Sequence, residues 1–162
     1  MAKIILGIDP GLADTGYGLI KEAGGRASAL AYGTIKTAAG SDLAARLEKL
    51  HDELDKLIKK YKPQAAAVEE LFFNKNVRTA LIVGQARGVI LLTLKKNRVP
   101  WLNFTPPQVK QAVTAYGQAA KAQVQKMVKL TLGLKTLPRP DDAADALALA
   151  ICALNPRLCP RN

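Results

Sequence analysis

The sequence predicts an α/β domain, a five-stranded mixed sheet with helices over both faces. Three observations point to it: short apolar runs closed by turn residues, a change of hydrophobic period from Leu43 onward, and strands that then alternate with helices. At 162 residues the chain is expected to form one domain over 1–154, with 155–162 as a short tail.

Lys3–Asp9 (KIILGID) is closed by Pro10-Gly11 and reads as a buried strand. Residues 15–21 and 27–36, joined through Gly24-Gly25, read as two antiparallel strands. Leu43, Leu47, Leu50, Leu54, Leu57 and Tyr61 then recur at steps of three and four, an amphipathic helix with Ser41 as its expected N-cap and Pro63 beyond its end. Residues 65–70 (AAAVEE) form a fourth expected strand. A mostly apolar helix over 78–96 follows, then a fifth strand over 99–104. In Thr105-Pro106-Pro107-Gln108 the threonine caps, proline suits the first turn and glutamine completes a capping box. A helix over 121–132 stops at Gly133, and a last one runs from about Asp141 to Leu154.

Aromatic residues are only 5% against 49% apolar, so the core is expected to be aliphatic and rich in alanine. No early basic-plus-apolar segment with a small-residue cleavage site argues for secretion, and the apolar runs look short of a membrane span. A soluble cytoplasmic protein without a membrane partner is the expectation. Cys152 and Cys159 lack metal-ligand spacing and read as plain thiols; His51, the single histidine, reads as structural.

Lys and Arg number 24 against 13 acids, a formal charge of +11. From Leu71 to Pro140 there is no Asp or Glu, while twelve Lys or Arg fall there. A one-signed stretch spread over several elements suits a nucleic acid better than a lipid surface, because each neutralised phosphate releases counterions.

Against that basic background, four acids stand where apolar residues are expected. Asp9 ends the most hydrophobic strand, Glu69 ends Ala65-Ala66-Ala67-Val68, and Asp142 and Asp145 share one face of an otherwise apolar helix. For a single acid an ion pair or cap suffices: Asp141 reads as an N-cap, Asp14 as a turn residue, and Glu70 as pointing away from Glu69. Four on three elements of one core call for divalent cations. Hard oxygen donors suit Mg²⁺ or Mn²⁺, and two such ions about 4 Å apart clamp an in-line phosphoryl displacement.

These residues resemble the RuvC family of Holliday-junction resolvases. Gly7-Ile8-Asp9-Pro10-Gly11 with Thr15-Gly16-Tyr17-Gly18 is similar to its first motif, and Val68-Glu69 before Leu71-Phe72 to its second. Gly84-Gln85-Ala86-Arg87-Gly88, the segments Gln108-Val109-Lys110-Gln111 and Lys121-Ala122-Gln123-Val124, and Asp142-Ala143-Ala144-Asp145-Ala146-Leu147-Ala148 follow in family order. The resemblance spans nearly the whole chain; Asp141 beside Asp142, and Glu70, depart from it. It implies a ribonuclease H-like fold and places the catalytic, metal-holding acids at Asp9, Glu69, Asp142 and Asp145. It further implies base stacking by Phe72, for which core packing is the alternative, and DNA contacts near the cut by Lys110 and Lys121, with Lys121 steadying phosphate charge. Lys75 and Arg78, from the acid-free stretch, join the expected DNA contacts.

The implied activity is Mg²⁺-dependent nicking of four-way junction DNA, with two ions per subunit, Mn²⁺ as a substitute, and 5′-phosphate and 3′-hydroxyl products. Two cuts of like polarity call for a symmetric homodimer, expected through helix 78–96, whose Gly84 and Gly88 are small. A RuvA–RuvB branch-migration complex is the further expected partner. Rival readings are an actin-like sugar kinase, for which one domain is too little, a YqgF-type RNA-processing nuclease, and a non-catalytic junction-binding module.

Overall fold

The computed structural model describes residues 2–71 and 77–154. The readings of Phe72, Lys75, Cys159 and the 155–162 tail therefore lie outside the described residues. Five strands, β1 (Lys3–Asp9), β2 (Asp14–Ala23), β3 (Arg26–Lys36), β4 (Ala65–Glu69) and β5 (Trp101–Phe104), form one sheet in the order β3-β2-β1-β4-β5. β1 pairs antiparallel with β2 and β2 with β3, whereas β4 runs parallel to both β1 and β5. The mixed sheet expected from the sequence is the one observed.

Strand alternation sorts the core into two layers. Leu6, Ile8, Leu19, Ala66 and Val68 face α1 (Leu43–Tyr61) and α2 (Val77–Lys96), meeting Leu50, Leu54, Ile90 and Leu94. Ile5, Ile20 and Ala67 face α3 (Pro106–Thr114), α4 (Lys121–Thr131) and α5 (Asp141–Leu154). Fully buried leucines and isoleucines such as Ile5, Leu50 and Leu147 each contribute about 1.5–3 kcal/mol. The core is aliphatic and alanine-rich, as its composition implied.

The capping box at α3 is present: Gln108 N–H donates to Thr105 Oγ1 (3.3 Å) and Thr105 N–H to Gln108 Oε1 (2.9 Å). His51 Nδ1 lies 2.7 Å from Thr93 Oγ1, a structural contact between α1 and α2.

Several local expectations need correcting. The N-cap of α1 is Asp42, not Ser41, because the Asp42 carboxylate accepts from Ala45 N–H (3.2 Å). Asp141 is the first helical residue of α5 rather than its cap; the Pro140 carbonyl accepts the opening N–H groups of Ala143 and Ala144. Asp14 begins β2 instead of sitting in the turn, and β5 starts at Trp101 instead of Val99. The membrane expectation also changes: α2 is long and apolar enough, by length and composition, to cross a membrane. Polar residues interrupt its runs, but the average over the whole helix remains apolar. Val77, Leu81 and Leu92 on it are exposed.

Candidate active site

The side chains of β1 that face α5 are those of Ile5 and Asp9, with Gly7 between them; Ile8, one residue away, packs on the opposite layer. On β4 the same alternation turns Ala67 and Glu69 toward α5. Parallel pairing sets Ile8 opposite Val68, so the next residues, Asp9 and Glu69, stand side by side at the carboxyl ends of two parallel strands. That edge is where open α/β sheets place their ligands.

The other two acids arrive on α5, and bare backbone lets them in. Gly7 and Gly18 are cross-strand partners and Gly16 is opposite Asp9. A Cβ at Gly16 would lie 2.1 Å from the Asp142 carbonyl oxygen, one at Gly7 1.8 Å from that of Ala146, and one at Gly18 2.7 Å from Leu147 N. α5 thus lies on a glycine floor, nearer the sheet than any side chain would permit. Its small face, Ala143, Ala146 and Ala150, is completely buried.

As a result one carboxylate oxygen from each of Asp9, Asp142 and Asp145 lies within 4.8 Å of the others, and Glu69 is hydrogen-bonded to Asp9. Burial, then the charges of Glu69, Asp145 and Asp142, push the Asp9 carboxyl up to about 8, and it shares a hydrogen bond with Glu69. Burial and the Asp145 charge also raise Glu69. Asp145 is raised by burial against the opposing pull of Lys121. Such crowding costs free energy unless counter-charge is supplied, and an all-oxygen donor set of this spacing fits Mg²⁺ or Mn²⁺.

The loop that carries Asp9-Pro10-Gly11 is fastened from both sides. Thr15 Oγ1 donates to the Gly11 carbonyl, and Thr37 Oγ1 to that of Leu12 (2.5 Å), while Arg46 Nε donates to Thr37 Oγ1 (2.9 Å). Beside the acids opens a cleft of about 230 Å³ whose walls include Glu69, Asp145, Lys110 and Lys121. Lys121 Nζ lies 3.2 Å from Asp145 Oδ2 and 3.5 Å from Asp141 Oδ2.

Asp9, Glu69, Asp142, Asp145, Lys110 and Lys121 therefore meet in one place. Arg78 does not line this cleft; it is exposed in the first turn of α2, over the opposite layer. Sequence reasoning missed Arg87, quoted only inside a motif: its guanidinium donates to the Glu69 carbonyl (3.2 Å) and to Asn103 Oδ1 (2.8 Å), pinning the end of β4 to β5. No sequence signal marks a bond to a backbone carbonyl.

The family model for "Crossover junction endodeoxyribonuclease RuvC" matches residues 5–153. A crossover junction endodeoxyribonuclease RuvC from Syntrophomonas wolfei is 56% identical over 151 residues, covering 93% of this chain and 88% of the relative. One from Heliobacterium modesticaldum is 56% identical over 92% of each. Among solved structures, Thermus thermophilus RuvC in complex with Holliday junction substrate superposes with a TM-score of 0.88 at 37% identity, over 92% of this chain and 91% of that one. The yeast mitochondrial Holliday junction resolvase shares the fold alone, at 16% identity and a TM-score of 0.65 over 91% of this chain and 77% of the other. A ribonuclease H-like sheet with acids converging at its carboxyl edge, and matches of this extent, place the chain in the RuvC family of crossover junction endodeoxyribonucleases.

Proposed function

We propose that this chain resolves Holliday junctions in DNA recombination and repair, by paired metal-dependent nicks. The observation that carries the reading is the convergence of Asp9, Glu69, Asp142 and Asp145 from β1, β4 and α5 beside a cleft walled by Lys110 and Lys121. Asp9, Asp142 and Asp145 would hold one cation and Glu69, beside Asp9, would help hold a second; Mg²⁺ is the proposed metal, with Mn²⁺ a substitute. When bound, the pair supplies counter-charge, an activated water and a stabilised leaving oxygen, giving 5′-phosphate and 3′-hydroxyl ends.

The chain's own residues do the rest. Arg87 fixes the Glu69 backbone, the glycine floor fixes Asp142, and Lys110 and Lys121 draw the scissile strand in by its phosphates. Phe72 is proposed to stack at the unpaired crossover, with Lys75 and Arg78 gripping the backbone nearby. The exposed apolar stripe Val77, Leu81 and Leu92 on α2 is proposed as the two-fold interface with a second copy rather than a membrane contact. Domain limits of 1–154, a cytoplasmic location and a RuvA–RuvB partner complete the proposal. A YqgF-like RNA-processing role, which would use the same acids, is not favoured because Gly84–Gly88, the Asp142–Ala148 motif and the family match over residues 5–153 follow the resolvases. A non-catalytic module is not favoured because the acid set is complete and assembled.

The test is a nicking assay on a synthetic four-way junction and a linear duplex of the same sequence. Symmetric nicks in the junction alone, requiring Mg²⁺, are expected. Equal cutting of the duplex, or nicking in chelator, would overturn the proposal.

A further inference from the structure

Among the described residues, Lys121 is the one side-chain cation in salt-bridge contact with any of the four clustered acids. It reaches Asp145 Oδ2 from the start of α4, and it simultaneously reaches Asp141, one helical turn before Asp145 on the same face of α5. The two seats differ in kind. Asp145 belongs to the acid group. Asp141 does not; it is held from outside by Arg139 Nη1 (2.8 Å) and Gln125 Nε2 (3.2 Å).

A divalent cation on Asp145 would sit about 2.1 Å from one oxygen of the same carboxylate to whose Oδ2 the ammonium now donates. Two cations on one carboxylate repel, and Lys121 is long enough to swing on its four-carbon stem while its helix stays fixed. Asp141 is already within reach and already oriented. We propose that Lys121 is a resident counter-ion of the acid group, that an incoming divalent cation displaces it from Asp145, and that Asp141 is the positioning residue that receives it. Displaced to Asp141, whose charge Arg139 already shares, Lys121 remains at the cleft with Lys110 and is only partly neutralised, which leaves it able to meet the phosphate of a bound strand.

This inference rests on the metal-site reading above, and its test separates the two. Mn²⁺ binding to the full chain without DNA is measured from the loss of the free-ion electron-spin signal, which reports occupancy and not turnover. Lys121→Gln should bind Mn²⁺ several-fold more tightly than the wild type, since nothing has to leave. Asp141→Asn should bind several-fold more weakly, since the lysine loses its second seat. The double variant should match Lys121→Gln alone. Lys110→Gln, which removes a charge from the same cleft without releasing Asp145, should change affinity less than twofold. An unchanged or weakened Lys121→Gln, an equal gain in Lys110→Gln, or an Asp141→Asn loss that persists in the double variant would overturn the exchange. If Asp9→Asn leaves Mn²⁺ binding unaltered, the metal site itself is wrong; if Asp9→Asn weakens binding while Lys121→Gln has no effect, only the exchange is.

Discussion

Helices α5 and α2 are both strongly apolar, yet they are used in opposite ways. α5 is covered within the chain: nine of its fourteen residues are buried, and it rests on Gly7, Gly16 and Gly18. α2 buries Ala86, Ile90, Thr93 and Leu94 but leaves Val77, Leu81 and Leu92 in solvent, and its Gly84 and Gly88 have open space where a side chain would go. Apolar content alone thus does not say what covers a helix. On α5 it secures a close approach that delivers two carboxylates; on α2 it leaves a face that a second copy can bury.

The comparison can be broken first at the acids. Asp9→Asn should lower Mg²⁺-dependent junction nicking by about a thousandfold or more, on the scale of losing a principal catalytic interaction, while junction binding persists. Gel-shift and nicking assays on one preparation check this; wild-type cleavage would remove the catalytic purpose of the acid group that β1 and α5 build together.

Next comes the floor. Gly16→Val puts side-chain carbon against the Asp142 carbonyl and should cost about 3 kcal/mol or more by overpacking. Gly84→Ala, open on its own chain, should instead raise monomer stability by up to about 1 kcal/mol. Denaturant melts of the two sharpen the contrast, and equal losses would contradict it. Leu81→Glu addresses the other helix: sedimentation should show a monomer with an unchanged circular-dichroism spectrum, whereas a persisting dimer would relocate the interface.

A pH dependence separates the acid group from α2 in a further way. The folded Asp9 carboxyl titrates near 8 against 3.8 for the free group, so the fold favours its protonated form. Its contribution to stability is therefore complete below about pH 4 and is lost as pH rises through about 8. In chelator, the melting temperature of Asp9→Asn relative to wild type should climb between pH 5 and pH 9, and Mg²⁺ should narrow the gap at high pH. A flat difference would mean that Asp9 is not under strain.

Much of this was legible from residues alone. Asp9 and Glu69 close apolar strands, Asp142 and Asp145 interrupt an apolar helix, and Thr105 with Gln108 spells a capping box, because each signal lies within a few positions of chain. What escaped depended on which segments cross. Gly7, Gly16 and Gly18 look like ordinary strand glycines until α5 is known to lie on them. Arg87 acts on a backbone carbonyl, which leaves no mark at residue 69. Asp42 outcompetes its neighbour Ser41 by one position, and the Pro140 carbonyl, not a side chain, starts α5. The apolar length of α2 is visible in its average and hidden in its interrupted runs.

The account turns on cations among the carboxylates, and anomalous diffraction from crystals soaked in Mn²⁺ tests that most directly. It predicts a peak about 2.1 Å from oxygens of Asp9, Asp142 and Asp145, with Glu69 adjoining and the Lys121 ammonium moved toward Asp141. No peak among these four acids, or one elsewhere with Lys121 still on Asp145, would contradict it.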